Sequence, residues 1–248
     1  MHLICMTGNG VQIKRIFYAE NKQPRSFKVS SAAYLLIALF SLTLSLFALS
    51  EISVKLSNTY IQQLGQKYGP QALVRLQAWQ DLMHELTNKS DKEKLKQVND
   101  FFNQVRFLDD ATHWGQKDYW ATPVEFLISN GGDCEDFSIA KYYTLKEVGV
   151  DMSKLSISYV KALKLNQAHM VLTYYEKPTS MPVVLDNLIA EIKPASERPD
   201  LLHVYSSNGD NLWLSKKGRR TTLVGTSDRL GPWVQLKSRL ENKRVNVN

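Results

Sequence analysis

The sequence predicts an α+β fold, on three observations. In the first half of the chain apolar residues recur at spacings of three and four, at Leu73, Leu76, Trp79, Leu82 and Leu86 and again at Val98, Phe101, Phe102 and Val105, the stripe of an amphipathic helix. From Leu155 to Leu163 the period drops to two, and Ala168 to Tyr175 and Pro182 to Leu185 are rich in Val, Thr, Tyr and Leu, as strands are. Helical patterns come first and strand patterns second, which is α+β order. With 248 residues, 44% of them hydrophobic, the chain can bury one well-packed core.

Each element follows from local chemistry. Residues 59–127 read as helical: Pro70 suits the first turn of the helix that follows Gly69, and Asn88 to Asp91 is a polar link. Phe107 to Tyr119 is aromatic and irregular, and Thr122-Pro123-Val124-Glu125 is a capped helix start. Asn130-Gly131-Gly132 ends that helix, and Cys134 to Val148 forms the next, closed by Gly149. After the three strands, His203 to Ser206 and Leu212 to Leu214 add short ones around the turn Asn208-Gly209-Asp210. The boundaries are then a basic N-terminal segment with a signal peptide or membrane anchor at 1–50, a folded domain at 51–215, and a basic polar tail at 216–248 expected to be loosely ordered.

Charge narrows the function classes. The net charge is +7, and the first fifty residues supply +4 of it, from Lys14, Arg15, Lys22, Arg25 and Lys28 against Glu20. The remaining +3, with no basic stripe and no phosphate-binding glycine loop, argues against nucleic acid as a partner. Val29 to Ser50 carries no charge and follows the basic segment, the pattern of an export signal. Small residues at Ala48 and Ser50 allow cleavage before Glu51, and the run is also long enough to stay as an anchor. Either way the positive flank stays in the cytoplasm and Glu51 onward lies outside the inner membrane, in the periplasm.

Of the two cysteines, Cys5 lies in the segment that is removed or stays inside, so Cys134 is alone. A single thiol in an oxidising compartment cannot form an internal disulfide, and its neighbours give it another use. Gly131-Gly132-Asp133-Cys134-Glu135-Asp136 places it at the first turn of a helix, where free amides and the macrodipole favour a thiolate and can hold an oxyanion. Asp133, Glu135 and Asp136 oppose this, because uncompensated carboxylates raise a thiol's pKa. Helix capping accounts for one or two of the three; a hard cation such as calcium would account for all of them. A thiolate also needs a base and the base an orienter. His169 starts one strand and Asp186 ends the next, whereas His84, His113 and His203 lie in a helical stripe or in irregular and late segments.

The segments Asp118 to Phe126, Gly132 to Phe137, Ala140-Lys141-Tyr142, His169 to Leu172 and Leu185-Asp186-Asn187, in this order and spacing, resemble the bacterial transglutaminase-like cysteine proteinases over roughly residues 57–215. The resemblance implies a papain-like, transglutaminase-like core with the nucleophile helix packed on an antiparallel sheet. It implies a calcium-dependent cysteine endopeptidase with Cys134 as nucleophile, His169 as base and Asp186 as orienter, and with Asp133, Glu135 and Asp136 holding Ca2+. It further implies that the substrate is a large repeat-rich surface adhesin, cleaved in its N-terminal region to release biofilm cells. An inner-membrane cyclic di-GMP receptor would be the sequestering inhibitor. The same triad forms a thioester that water or an amine can resolve, so hydrolysis and acyl transfer both stay open, as does a non-catalytic calcium-dependent binding module.

Overall fold

A computed structural model describes residues 52–209, 211–216, 219–243 and 245. The basic segment and the uncharged run expected at 1–50 lie outside the described residues. Helix α1 (Asn58–Tyr68) begins where Ser57 Oγ accepts the Tyr60 N–H at 3.2 Å. Gly69, at φ +96°, turns the chain into α2 (Pro70–Leu86), with Pro70 at its first position. The buried stripe of α2 is Ala72, Leu76, Trp79, Met83 and Leu86. Leu73 and Leu82, predicted in the stripe, flank it half-buried, because a helix drifts against any fixed register of threes and fours. A capping box between Ser90 and Glu93 starts α3 (Asp91–Phe102).

A two-residue strand β1 (Arg106–Phe107) leads to the single turn α4 (Asp110–His113). The predicted start at Thr122-Pro123 is realised as α5 (Pro123–Ser129), with a capping box between Thr122 and Glu125. Asn130, at φ +53°, closes it, and β2 (Gly131–Gly132) pairs parallel with β1 before α6 (Cys134–Glu147) begins. Every residue of α6 from Glu135 to Leu145 is buried, since the helix packs on the sheet on one side and against α3 and α5 on the other. Trp79 of α2 donates its indole N–H to Thr144 Oγ1 at 2.9 Å.

The main sheet contains β3 (Leu155–Ala162), β4 (Gln167–Tyr174), β5 (Val183–Leu185), β6 (Lys193–Pro194), β7 (Leu201–Ser207), β8 (Asn211–Lys216) and β9 (Arg219–Thr226). It is antiparallel throughout, in the order β6-β5-β4-β3-β7-β8-β9. Strands β3 and β4 pair over eight positions, from Leu155 with Tyr174 to Ala162 with Gln167. Leu155, Ile157, Leu172 and Leu185 join the helical core, and Val160, Val171 and Val184 make a second small cluster.

The C-terminal segment departs from expectation. Residues 216–248 were expected to be loose, yet they carry β9 and helix α7 (Gly231–Glu241), which buries Trp233 and Leu236. Trp233 stacks on Tyr143 at 6.0 Å, Arg239 donates to the Trp120 carbonyl, and its guanidinium lies over the Tyr119 ring at 4.5 Å. The Lys and Arg content masked apolar residues at 233, 236 and 240, which recur at helical spacing.

Candidate active site

Cys134 is the first residue of α6, delivered there by two glycines that lie against neighbouring side chains. A Cβ on Gly132 would collide with the Asp136 carboxylate and Phe126, and one on Gly131 with Leu108. Asp136, three residues past the N-cap Asp133, accepts the Asp133 N–H at 3.3 Å through Oδ2 and the Ala121 N–H at 2.7 Å through Oδ1. One of the three predicted carboxylates therefore does the capping work. The thiol donates to Glu135 Oε2 at 3.1 Å and accepts from the backbone N–H of Met170, the residue after His169. That contact sets Cys134 against β4, the strand that bears the predicted base. Burial, with the charges of Glu135 and Asp133, pushes the thiol's pKa well up.

His169 and Asp186 come together across β4 and the end of β5. His169 Nε2 lies 2.8 Å from Asp186 Oδ1, and both residues are buried. With Nε2 engaged, Nδ1 is the ring nitrogen that remains. The Asp186 carboxylate is fixed on both oxygens: Oδ1 also accepts the Leu188 N–H at 3.0 Å, and Oδ2 accepts Arg198 Nη2 at 2.8 Å. Burial would raise this acid, but His169, the Leu188 amide and Arg198 outweigh it and hold its pKa at about 2. Behind it, Asn103 of α3 donates to the Asp186 carbonyl at 2.9 Å and accepts Lys141 Nζ at 2.7 Å. Arg198, Asp200, Asn103 and Lys141 were not identified as site residues from the sequence. His203, set aside there, bonds Ser206 Oγ through Nε2 at 2.8 Å, and burial lowers its pKa to about 4.

The acidic residues form two overlapping groups. Asp133 and Glu135 gather around Cys134, while Asp133 and Asp136 meet Asp110, a residue not anticipated as a ligand, with one oxygen of each within 4.8 Å of the others. Asp110 sits at the start of α4, where Oδ2 accepts the Tyr119 N–H. Asp110 Oδ1 and Asp133 Oδ1 are buried without a hydrogen-bond partner. Burial first, and then the neighbouring acids, push all three toward the protonated form, Asp110 to about 6. Buried, unpartnered carboxylate oxygens converging in this way suit a hard divalent cation with oxygen ligands.

Residues 75–220 match the family described as bacterial transglutaminase-like cysteine proteinase BTLCP. Among solved structures, LapG of Legionella pneumophila in its EGTA-treated form is 46% identical, with a TM-score of 0.67 over 75% of this chain and 98% of that one. Its calcium-bound form is 45% identical, with a TM-score of 0.65 over 75% of this chain and 99% of that one. No curated protein matches the chain in sequence.

Proposed function

The chain belongs to the bacterial transglutaminase-like cysteine proteinases, and from that premise we propose that it is a periplasmic, calcium-dependent cysteine endopeptidase that cuts a large surface adhesin. The observation that carries the catalytic part is the 2.8 Å His169–Asp186 pair, together with a thiol at the N-terminus of the helix that packs on the strand bearing His169. In this reading Cys134 is the nucleophile, His169 the base and Asp186 the orienter. The Cys134 proton passes to His169 and the thiolate forms a C–S bond to the scissile carbonyl. Helix N-terminal amides at the start of α6 receive the oxyanion. His169 then protonates the leaving amine as the C–N bond breaks. Water activated by His169 hydrolyses the thioester, which restores the thiol and releases the new carboxylate.

Asp133, Glu135 and Asp136, joined by Asp110, would hold calcium. Bound there, it would offset the carboxylate charge that raises the thiol's pKa. Calcium is the ion named for the matched calcium-bound LapG, and a chelator for its EGTA-treated counterpart. Among the described residues no helix is long and apolar enough to cross a membrane, so the periplasmic assignment rests on the basic and uncharged N-terminal run alone. The adhesin substrate, its role in biofilm release and control by an inner-membrane cyclic di-GMP receptor rest on the family resemblance.

The test is incubation of the protein with the N-terminal region of a large repeat-rich adhesin from the same organism. The arms contain calcium, chelator, a thiol alkylator and an added primary amine, with products read by mass spectrometry. The proposal expects one hydrolytic cut that needs calcium and an unmodified Cys134. Amine incorporation without hydrolysis would make the chain an acyltransferase, and an uncut adhesin in calcium would overturn the substrate assignment. Adding the soluble domain of the receptor should suppress the cut. A reporter fused after Ser50 should be active only outside the cytoplasm; normal cytoplasmic activity would reject the periplasmic assignment.

A further inference from the structure

Arg198 lies in the turn before β7 and is 3% exposed. Its Nη2 bonds Asp186 Oδ2 and Asp200 Oδ2, each at 2.8 Å, and its Nε bonds Asp200 Oδ1 at 3.0 Å. The guanidinium is thus forked onto Asp200 and reaches Asp186 with the same nitrogen. Asp200 is one-fifth exposed, whereas Asp186 is fully enclosed. Such a buried pair is costly to assemble unless each charge is matched. Here one cation is divided between two anions, so the trio keeps a net charge of −1. The share of Arg198 taken by Asp200 decides how much negative charge Asp186 still presents to His169.

We propose that Arg198 and Asp200 are positioning residues of the triad: Arg198 fixes the plane of the Asp186 carboxylate, and Asp200, by sharing Arg198, sets how strongly Asp186 supports a positive His169. The inference rests on the peptidase reading for the role of His169, and on the hydrogen-bond geometry for everything else. Arg198 touches neither the thiol nor a reacting atom, and acts only through Asp186. The other charged groups around this cluster are Lys141 of α6, which faces Asp186 through Asn103, Asp100 of α3, which faces Lys141, Lys164 in the turn between β3 and β4, whose charge acts on Asp200, and Glu135 at the start of α6 beside the thiol. None of them contacts Arg198, so substitutions at 198 and 200 leave them in place.

The two residues make opposite predictions. Arg198→Met removes the cation that competes with His169 for Asp186, so the pH midpoint at which His169 loses its proton should rise by about one unit. Asp200→Asn frees more of the cation toward Asp186, and the midpoint should fall by about half a unit. Arg198→Lys keeps the charge but loses the fork; its midpoint should stay near that of the parent while kcat drops several-fold. The midpoint is read from the His169 ring signals by NMR in full-length protein carrying Cys134→Ala, and independently from the acid limb of kcat/KM, where His169 becomes the neutral base, in protein with the thiol.

Shifts of the same sign in Arg198→Met and Asp200→Asn, or no shift in either, would make the trio a structural strut and overturn the proposal. If Arg198→Met fails to fold, Asp200→Asn and Arg198→Lys decide, since a strut predicts no downward shift in the first and a lost fold in the second. The NMR arm needs no turnover. Opposite shifts in a protein that cuts nothing would therefore sink the peptidase reading and leave the charge sharing standing.

Discussion

Asp186 sits among groups that welcome its charge, with His169, Arg198 and the Leu188 amide all within 3.0 Å of its oxygens. Asp133 and Asp136, at the other end of the site, sit among groups that oppose theirs, because each other, Asp110 and Glu135 are acids too. Burial is similar in the two places. The compensation differs: one acid is pulled down to a pKa of about 2, whereas those near the thiol are pushed up. A protein that supplies its own cations at one end and leaves carboxylate oxygens without partners at the other is complete at the first and ready for an external cation at the second.

The largest effects should come from the reacting groups these clusters flank. Cys134→Ala and His169→Ala should each abolish cleavage with the fold intact, as judged by circular dichroism and unfolding midpoint. Asp186→Asn should reduce it by about 10³- to 10⁴-fold through a misoriented imidazole. Parent-level turnover by folded Cys134→Ala would remove the mechanism altogether.

Next in size is the loss of the proposed calcium. A calcium-selective chelator should stop cleavage, and excess calcium should restore it. Equimolar magnesium should not, because it holds its waters and demands a tighter shell. Asp133→Ala and Asp110→Ala should mimic the chelator and need more calcium for rescue, with isothermal titration calorimetry giving the weakened affinity. If chelated protein cleaves at the parent rate and elemental analysis finds it metal-free, the carboxylates are only caps, and the contrast between the two ends loses its functional meaning.

How much of this could be read in advance differs between the two clusters for a physical reason. Cys134, Asp133, Glu135 and Asp136 are contiguous, and a thiol among acids behind paired glycines is itself a local signal. His169 and Asp186 were legible because each borders an apolar strand pattern. Asp110 lies in an aromatic stretch without periodicity, where only the pair Asp109-Asp110 after Phe107-Leu108 hinted at a capped turn. Arg198 and Asp200 flank Pro199 in a polar turn, and nothing in a sequence separates a buried arginine there from a solvated one. The C-terminal helix had a signal that charge obscured: Gly231-Pro232 followed by Trp233, Leu236 and Leu240.

A smaller effect sharpens the contrast through pH. Without metal, Asp110 has a folded pKa of about 6, above its usual value. The native state therefore holds a proton that the unfolded chain releases between about pH 4 and pH 6. That contribution to stability is present at low pH and lost as pH rises through this window. His203, lowered to about 4 by burial, works oppositely and adds stability as pH rises. It is common to metal-free and calcium-loaded protein, so the difference between their urea midpoints isolates the acids. The difference should widen steadily from pH 4.5 to pH 7, because the ligands must lose protons to bind. Asp186 runs the other way: its stabilisation is complete above its ordinary pKa and is lost only as pH falls toward 2, with or without calcium. A pH-independent gap would show that the cation, if it binds, sits elsewhere.

The smallest expected effect is at Lys141, which asks whether the compensated end needs a second cation. Lys141 is buried on α6 with Asn103 Oδ1 as its acceptor, and burial, opposed by Asp186 and Asp100, lowers its pKa to about 7. Arg198 already matches Asp186 directly, and Asn103 holds the Asp186 carbonyl through its own Nδ2, so Lys141→Met should leave cleavage within about threefold of the parent. Replacing a buried charge by an apolar side chain of similar volume is often neutral or stabilising, whereas Asn103 Oδ1 left unpaired costs about 1–3 kcal/mol. The two offset, and the net change at pH 7 should be within about 1 kcal/mol. The distinguishing sign is in the pH dependence. A lysine whose folded pKa is lowered binds fewer protons in the native than in the unfolded state between about pH 7 and pH 10, so parent stability should rise across that range relative to Lys141→Met. Urea unfolding of both proteins at pH 7, 8.5 and 10 measures it. If Lys141→Met instead loses cleavage a hundredfold while remaining folded, Asp186 depends on two cations, and the compensated end is less complete than its direct hydrogen bonds indicate.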